Sequence, residues 1–159
     1  TVLSRGLGDV YKRQGESITI ERDYDPSIPD LLGDEDSLIQ VVLNITRNAV
    51  QALTQASCAS MFTNKTRQIR FISRIIRHFT IGKEHHKLVC RIDIIDNGPG
   101  IPEEIRNQIF VPMVSGHAAS SGLGLAIAQS IVNKHHGLIG CQSEIGETCF
   151  SIYLPLDSA

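Results

Sequence analysis

The sequence predicts an α+β fold, a two-layer sandwich in which a mixed, mostly antiparallel sheet is covered by helices on one face. Stretches rich in β-branched residues follow one another in pairs, at residues 67–96 and 138–156. Two other segments, residues 34–55 and 122–137, repeat apolar residues at helical spacing. The length of 159 residues suits a single core. Strands and helices are thus segregated along the chain, which favours this fold class.

The first part of the chain predicts a leader, a strand and a long helix. Residues 1–15 show no sustained period, and we interpret them as a disordered or non-native leader to a domain of residues 16–159. Residues 16–24 alternate apolar and polar side chains, which is typical of a half-buried strand. The helix that follows has Asp34 or Asp36 as its N-cap. Its apolar positions recur at steps of three and four: Leu38, Val42, Ile45, Ala49 and Leu53.

The middle of the chain predicts a strand pair and a short helix. A polar loop at residues 56–66 leads into two strands, residues 67–81 and 87–96, which pair antiparallel around a polar turn. Their arginines are expected on the solvated face or edge of the sheet. Residues 102–110 are predicted as a short helix.

The last part of the chain predicts a loop, a helix and a hairpin. Residues 111–121 form a loop of small residues, and the second helix covers residues 122–137 with Gly137 as its C′ cap. A hairpin that turns around Gly146 closes the domain.

Composition excludes several classes of protein. The net charge of -2 argues against a nucleic-acid binder. No apolar run approaches the roughly 20 residues of a membrane span, so we expect no direct membrane contact and a cytoplasmic location. The four cysteines form no C-x-x-C pair and are expected to be reduced thiols. The adjacent pairs His85–His86 and His135–His136 are expected at the solvated surface.

Two asparagines on the first helix need partners. Asn44 and Asn48 are four residues apart, so their side chains project from the same side, at the border of the apolar face. Asparagine is a poor residue for a helix interior. The pair is either two boundary amides bonded to a nearby loop, or a ledge of carbonyl oxygens for a hydrated Mg²⁺. The residues alone leave both alternatives open.

Two glycine-containing segments are further candidates. The stretch "DNGPG" at 96–100 follows a strand, and it is either an ordinary turn or a turn that holds Asp96 toward a ligand. The stretch "GLGL" at 122–125 precedes helical periodicity, where backbone amides can bind an anion. By itself "GLGL" could equally be a helix-start turn. Neither a P-loop nor a dinucleotide fingerprint is present.

The order of these motifs resembles a known family. Asn44 and Asn48, then Asp96–Gly100, then Ile109–Phe110, then Gly122–Leu125 are similar to the N, G1, F and G2 boxes of the histidine-kinase ATP-binding domain, the GHKL or Bergerat fold. From about residue 16 onward, the stretches "RDYDPSIPDL", "LNITRNAVQAL", "DNGPGIP" and "SGLGLAIAQSIVNKHHG" resemble the sensor kinases of nitrogen regulation.

The resemblance implies an ATP site. Asp96 would accept a hydrogen bond from the adenine amino group, Asn48 would be the Mg²⁺ ligand, and Arg47 would reach the phosphates. Residues 111–121 would be the ATP lid, although Ser120 stands where the family often has glycine. Phe110 is expected to pack beneath the lid. The site would also include Gly98, Gly100, Ile101, Ser121, Gly122, Leu123, Gly124 and Leu125.

The resemblance also implies a reaction and partners. Asn44 and Asn48 would be the catalytic pair, but gyrase and Hsp90-type ATPases carry a glutamate base at the position of Asn44. An amide cannot take a proton, so slow hydrolysis is expected. None of the six histidines is followed by glutamate, so the domain would phosphorylate a phosphoacceptor histidine domain in trans. An NtrC-type response regulator and the PII signal protein would be further partners. The alternatives are a PII-binding module that controls phosphatase activity, and an ATP-hydrolysing relative.

Overall fold

The fold is described by a computed structural model for residues 18–114 and 122–156, with only the backbone of residues 56–58. The predicted leader, residues 1–15, therefore lies outside the described residues. The strands and helices, in chain order, are β1 (Ile18–Tyr24), α1 (Glu35–Thr54), β2 (Arg67–Ile81), β3 (Glu84–Asp96), α2 (Gly124–Lys134), β4 (Leu138–Glu144) and β5 (Glu147–Pro155). Two 3-10 helices, Ala56–Phe62 and Glu103–Gln108, stand where a polar loop and a short helix were predicted.

The five strands form one mixed sheet in the order β1-β2-β3-β5-β4. β1 and β2 are parallel, and the other three pairs are antiparallel. β5 thus lies between β3 and β4, which places the last strand beside the strand that ends in Asp96. The predicted α+β class with a mostly antiparallel sheet is confirmed.

The core lies between the helices and one face of the sheet. The predicted apolar positions of α1 that are buried meet alternate residues of the central strands and the inner side of α2. The buried core residues are Val41, Val42, Ile45, Ala49, Leu53, Ile69, Phe71, Ile94, Ile109, Ala128, Val132, Ile139, Phe150, Ile152 and Leu154. Among the described residues, no helix is long and apolar enough to cross a bilayer.

The start of α1 is fixed by Asp34, one of the two predicted caps. Its carboxylate accepts a hydrogen bond from the backbone N–H of Ser37 at 3.1 Å. The backbone N–H of Asp34 donates to Nε2 of His135, 3.0 Å away, just beyond the end of α2. The opposite ring nitrogen of His135 lies 2.8 Å from the carbonyl of Ile131. The start of α1 and the end of α2 are therefore joined.

The C-terminal cap of α2 differs from the prediction. The left-handed residue is His136, with φ of 59°, and not Gly137. The N–H of Gly137 donates to the carbonyl of Val132 at 2.9 Å, and the N–H of His136 donates to that of Asn133 at 3.0 Å, which is a Schellman motif with His136 at C′. Gly137 is needed for space, because a Cβ there would lie 2.4 Å from the carbonyl oxygen of Tyr153.

The prediction of solvated histidine pairs is wrong for two of the four residues. β3 begins at Glu84 rather than at residue 87, so His85 and His86 lie within a strand and face opposite sides. His85 is exposed, whereas His86 is 8% exposed. His135 makes the hydrogen bonds described above and is half-buried. In each pair only one histidine is exposed, His85 in the first and His136 in the second, because adjacent side chains point in different directions.

Candidate functional site

A cleft of about 480 Å³ opens at the end of the sheet where β3 stops. Its walls come from the second half of α1, the "DNGPG" turn, the segment around the second 3-10 helix, the start of α2, and β5. The lining residues that the sequence had singled out are Asn48, Asp96, Gly100, Ile101, Gly122, Gly124 and Leu125. With Ile109 of the Ile109–Phe110 motif, which also lines the cleft, all four motifs contribute at least one residue to it.

Asp96 is the most deeply buried ionisable group of this cleft. Asp96 is 3% exposed and lines the cleft. Burial raises the pKa of the carboxyl to about 6, although the hydrogen bond that it accepts from the N–H of Gly98, at 2.9 Å, acts in the opposite direction. Asp96 therefore stabilises its own turn and also lines the cleft.

Asn97 anchors the same turn to β2. Its side-chain oxygen accepts from the N–H of Gln68 at 2.8 Å, and its amide nitrogen donates to the carbonyl of Thr66 at 2.9 Å. The side chain thus continues the pairing of β2 and β3 for one further step. This fixes the direction in which the chain leaves the strand.

The β4–β5 hairpin holds the other side of the turn. The N–H of Gly146 donates to the carbonyl of Gly98 at 3.0 Å, and the N–H of Ile101 donates to the hydroxyl of Ser143 at 2.8 Å. Gly100 has φ of 85°, and a Cβ there would lie 2.6 Å from the carbonyl oxygen of Glu144. Only glycine permits both this conformation and this contact.

Thr148 is a lining residue that sequence reasoning missed. It is 4% exposed, lies directly opposite Asp96 in the register of β3 and β5, and lines the cleft. Its hydroxyl is 2.8 Å from that of Ser143, whose oxygen accepts the N–H of Ile101. No local signal in the sequence points to Thr148, since its position depends on the pairing of two distant strands.

The two asparagines of α1 have different surroundings. Asn48 is half-buried and lines the cleft. Asn44 is 7% exposed, is absent from the lining, and donates from Nδ2 to the carbonyl of Gly124 at 3.1 Å. Asn44 is thus bonded to a neighbouring segment, as the first alternative expects, and Asn48 faces the cleft.

The segment before α2 is closed by one backbone contact. The N–H of Met113 donates to the carbonyl of Gly122 at 3.0 Å. Gly122 has φ of 70°, and a Cβ there would lie 2.8 Å from the carbonyl carbon of Met113. In the described part of the chain, no side chain caps the N-terminus of α2. The first backbone N–H groups of a helix have no partner within that helix, which is the arrangement that anion sites use.

Several predicted site residues do not line the cleft. Arg47 and Leu123 are both exposed and are not among the lining residues. Gly98 is buried behind Asp96, and a Cβ there would lie 2.8 Å from the carboxylate oxygen. Phe110 meets the ring of Phe150 edge to face, with centroids 6.4 Å apart, as a packing residue would. Ser121, Ser120 and most of the predicted lid lie outside the described residues.

Further lining residues were not singled out as binding residues from the sequence. Neither a helical period nor a turn motif distinguishes these residues from ordinary core and loop positions. They include Ala52, Gln55, Ile109, Ile145, Thr148 and Phe150.

Comparison with known proteins identifies the family. A sequence model of the Histidine kinase-, DNA gyrase B-, and HSP90-like ATPase family matches residues 33–158. The chain belongs to this ATPase family. A curated relative, the Sensory histidine kinase/phosphatase NtrB of Vibrio alginolyticus, is 43% identical over 140 residues. That match covers 88% of this chain and 38% of the relative, so the chain spans well under half of the relative's length.

Solved structures of histidine kinases share the fold. The mycobacterial sensor histidine kinase MprB is 26% identical, with a TM-score of 0.72 over 97% of this chain and 91% of that one. The full-length structure of ShkA in complex with AMPPNP is 25% identical, with a TM-score of 0.68 over 90% of this chain and 26% of that one. The chain is thus an ATPase-family catalytic domain of the sensor histidine kinase type, and the predicted family is confirmed.

Proposed function

We propose that this domain binds Mg-ATP in the cleft and donates the γ-phosphoryl group to a histidine on a separate domain of an NtrB-type sensor kinase. The observation that carries the proposal is the presence, in one cleft, of the buried carboxyl of Asp96, the amide of Asn48 and the glycine-rich start of α2. These groups suit a purine base, a hydrated cation and phosphates, respectively. The identity of the Vibrio alginolyticus relative supports the NtrB type.

The base would be selected by the carboxylate of Asp96. An ionised carboxylate only accepts hydrogen bonds, so it favours the 6-amino group of adenine over a 6-oxo purine. Burial strengthens such a bond, because few waters compete with it. The hydroxyl of Thr148, directly across the strand pair, offers a second polar group to the same base.

The residues of the cleft fit Mg²⁺ held mainly by a nucleotide. Among residues 18–114 and 122–156, no group of three or more His, Cys, Asp or Glu side chains could hold a metal by itself. Mg²⁺ keeps several waters and needs only one or two protein oxygens when phosphates are present, so Asn48 would supply the protein ligand. When bound, the ion would neutralise charge on the phosphate oxygens. The amides at the start of α2 would bind the phosphates.

Transfer to another group is favoured over hydrolysis. The amide of Asn44 cannot accept a proton from water, and its nitrogen is bonded to the carbonyl of Gly124. Phosphoryl transfer depends chiefly on positioning and charge stabilisation, which this cleft can supply to an incoming histidine.

The incoming domain would meet an apolar patch beside the start of α2, formed by Val111, Met113, Leu123 and Ile127. These side chains are exposed at 49%, 75%, 39% and 39%, respectively. The Met113–Gly122 hydrogen bond joins the segment of Val111 and Met113 to the start of α2, where Leu123 and Ile127 are four residues apart and lie on the same side. Because the chain spans 38% of the Vibrio relative, the occupant that we propose is the histidine-bearing domain of the same full-length protein.

Nucleotide titration with and without Mg²⁺ tests the proposed site. Asp96→Asn should abolish most of the affinity for ATP, whereas Asn48→Ala should weaken only the Mg²⁺-dependent part. Gln40→Ala, at an exposed position of the same helix, is the matched control and separates a cleft effect from a general effect on α1. Equal ATP affinity of Asp96→Asn and the parent would refute the adenine assignment.

The partners follow from the proposed kinase type. An NtrC-type response regulator would receive the phosphoryl group from the histidine, and the PII signal protein would dock on this domain and shift the balance from kinase to phosphatase. Incubation of the domain with a purified phosphoacceptor domain, Mg²⁺ and labelled ATP should yield phosphohistidine. Rapid ATP hydrolysis without an acceptor would instead support the ATP-hydrolysing alternative.

A further inference from the structure

The buried side-chain amide of Asn44 contacts the start of α2. The residue is 7% exposed, and its Nδ2 donates to the carbonyl of Gly124, the first residue of α2, at 3.1 Å. Asn44 does not line the cleft, unlike Asn48 one turn later on α1. The amide therefore acts on α2 and does not face the space where a nucleotide would lie.

The partner of this bond is the part of α2 that would bind phosphate. Gly124 lines the cleft, and a Cβ placed there would lie 3.9 Å from Cβ of Asn44, in ordinary van der Waals contact. The first turn of α2 has no side-chain cap among the described residues. The hydrogen bond from Asn44 thus fixes where the first turn of α2 lies along α1 and how it is rotated relative to α1.

The two helices are also joined at their other ends. There the N–H of Asp34 donates to the ring of His135 at 3.0 Å. Between the two polar contacts, apolar side chains of the core pack the helices together, and such packing tolerates small sliding shifts better than a directed hydrogen bond does. The Asn44 bond is therefore the directed contact at the cleft end of the pair.

We propose that Asn44 is a positioning residue, which acts through Gly124 to hold the start of α2 in register with Asn48, and that it is neither a metal ligand nor a base. The inference rests on the proposed function, because it assigns phosphate binding to the start of α2. Binding of a polyphosphate requires several amides to stay aligned, so loosening this turn weakens the phosphate part of the affinity. The adenine part depends on Asp96 and is independent of the bond.

The test compares nucleotides that differ only in phosphate. Asn44→Ala removes the amide, and Asn44→Leu keeps nearly its shape but removes the donor without adding a buried charge. Both variants should bind ATP about three- to tenfold more weakly than the parent, which is the effect of one net hydrogen bond. The loss should be the same with and without Mg²⁺, and the affinity for adenosine should stay unchanged. Binding is measured by NMR or calorimetric titration.

A matched control separates positioning from general damage to α1. Thr46 is fully buried on the same helix, and its hydroxyl donates to the carbonyl of Val42 at 2.7 Å. Thr46→Val removes a buried hydrogen bond within α1 and should leave the ratio of ATP to adenosine affinity unchanged. Equal loss of adenosine and ATP affinity in the Asn44 variants would mean a merely structural role and would overturn the inference.

Two other outcomes are distinguishable. A loss confined to Mg²⁺-containing solutions would make Asn44 a metal ligand and would overturn the positioning role while leaving the proposed function intact. Failure of the unmodified domain to bind ATP would overturn the proposed function itself.

Discussion

At the scale of single residues, Asp96 combines a binding group with a cost to stability. The carboxyl is almost fully buried, and its hydrogen bond to Gly98 does not offset the loss of hydration, so the pKa rises from 3.8 to about 6. At neutral pH the folded domain therefore carries a buried negative charge. A binding site that needs a strong acceptor in a dry cleft incurs this cost as long as the ligand is absent.

The effect on stability has a definite sign. Because the folded pKa lies above the unfolded value of 3.8, the folded state binds more protons between that value and pH 6. The free energy of unfolding consequently falls as the pH rises through this window, and remains lower above it. A rise from 3.8 to about 6 corresponds to about 3 kcal/mol between the two protonation states.

Asp96→Asn should therefore stabilise the domain while it removes adenine binding. The asparagine oxygen can still accept from Gly98, and we expect a gain of about 1 to 3 kcal/mol at pH 7 that disappears near pH 4. Denaturant unfolding at several pH values measures it. Asp93→Asn is the control, since Asp93 is similarly buried on β3 but lies 3.1 Å from the guanidinium of Arg91. This variant should show no gain, and a gain of equal size would contradict the explanation.

At the scale of elements, the turn after β3 depends on the β4–β5 hairpin. The hydrogen bonds of Gly98 and Ile101 to that hairpin cross a long sequence distance, so the wall of the cleft forms only when the last two strands are in place. The turn therefore connects two parts of the sheet, and hydrogen bonds to β2 on one side and to the β4–β5 hairpin on the other determine its geometry.

Gly100→Ala should disturb this joint. The added Cβ would lie 2.6 Å from the carbonyl oxygen of Glu144, in addition to the strain of a φ of 85°. We expect a loss of about 2 to 4 kcal/mol in stability and weaker ATP binding. Gly82→Ala is the matched control, because Gly82 also has a positive φ, of 62°, but nothing within 4 Å. It should cost only about 1 to 2 kcal/mol and leave ATP affinity unchanged. Equal effects of the two variants in both measurements would contradict the contact with the hairpin.

The elements themselves could be predicted because their signals are local. The periodicity of α1 and the β-branched content of β2 and β5 indicated the correct classes, and the N-cap at Asp34 was one of two candidates. Tertiary contacts decided the rest. The different surroundings of Asn44 and Asn48 depend on where α2 packs, and Thr148 reaches Asp96 only through strand pairing. The order of motifs identified the family, but not which members face the cleft.

At the scale of the whole molecule, residues 18–114 and 122–156 form one sheet, one helical layer and a cleft at their common edge. The apolar patch formed by Val111, Met113, Leu123 and Ile127 lies beside this cleft on the outer side of the start of α2. A phosphoryl group held in the cleft is thus close to the surface that we assign to the histidine-bearing domain. Binding of nucleotide and docking of that domain should therefore be separable by mutation.

Ile127→Asp should reduce phosphotransfer and spare ATP binding. A carboxylate in the centre of the patch would be desolvated by the docked domain, and we expect about a tenfold or greater loss in the rate of phosphohistidine formation in the full-length protein. Leu138→Asp is the control, because Leu138 is 41% exposed, close to the 39% of Ile127, but lies at the start of β4. A similar loss in both variants, or a loss of ATP affinity in Ile127→Asp, would count against the patch as a docking surface.

The hydrogen bond between Met113 and Gly122 also bears on how the domain can vary. It brings Met113 and Gly122, which flank residues 115–121, close together. For a segment closed in this way, added length raises the closure entropy only logarithmically, by about 0.6 kcal/mol per doubling. Insertions between these flanks should therefore leave α2 and the cleft unaltered. This one backbone contact would let the segment between residues 114 and 122 evolve in size and sequence independently of α2 and the cleft.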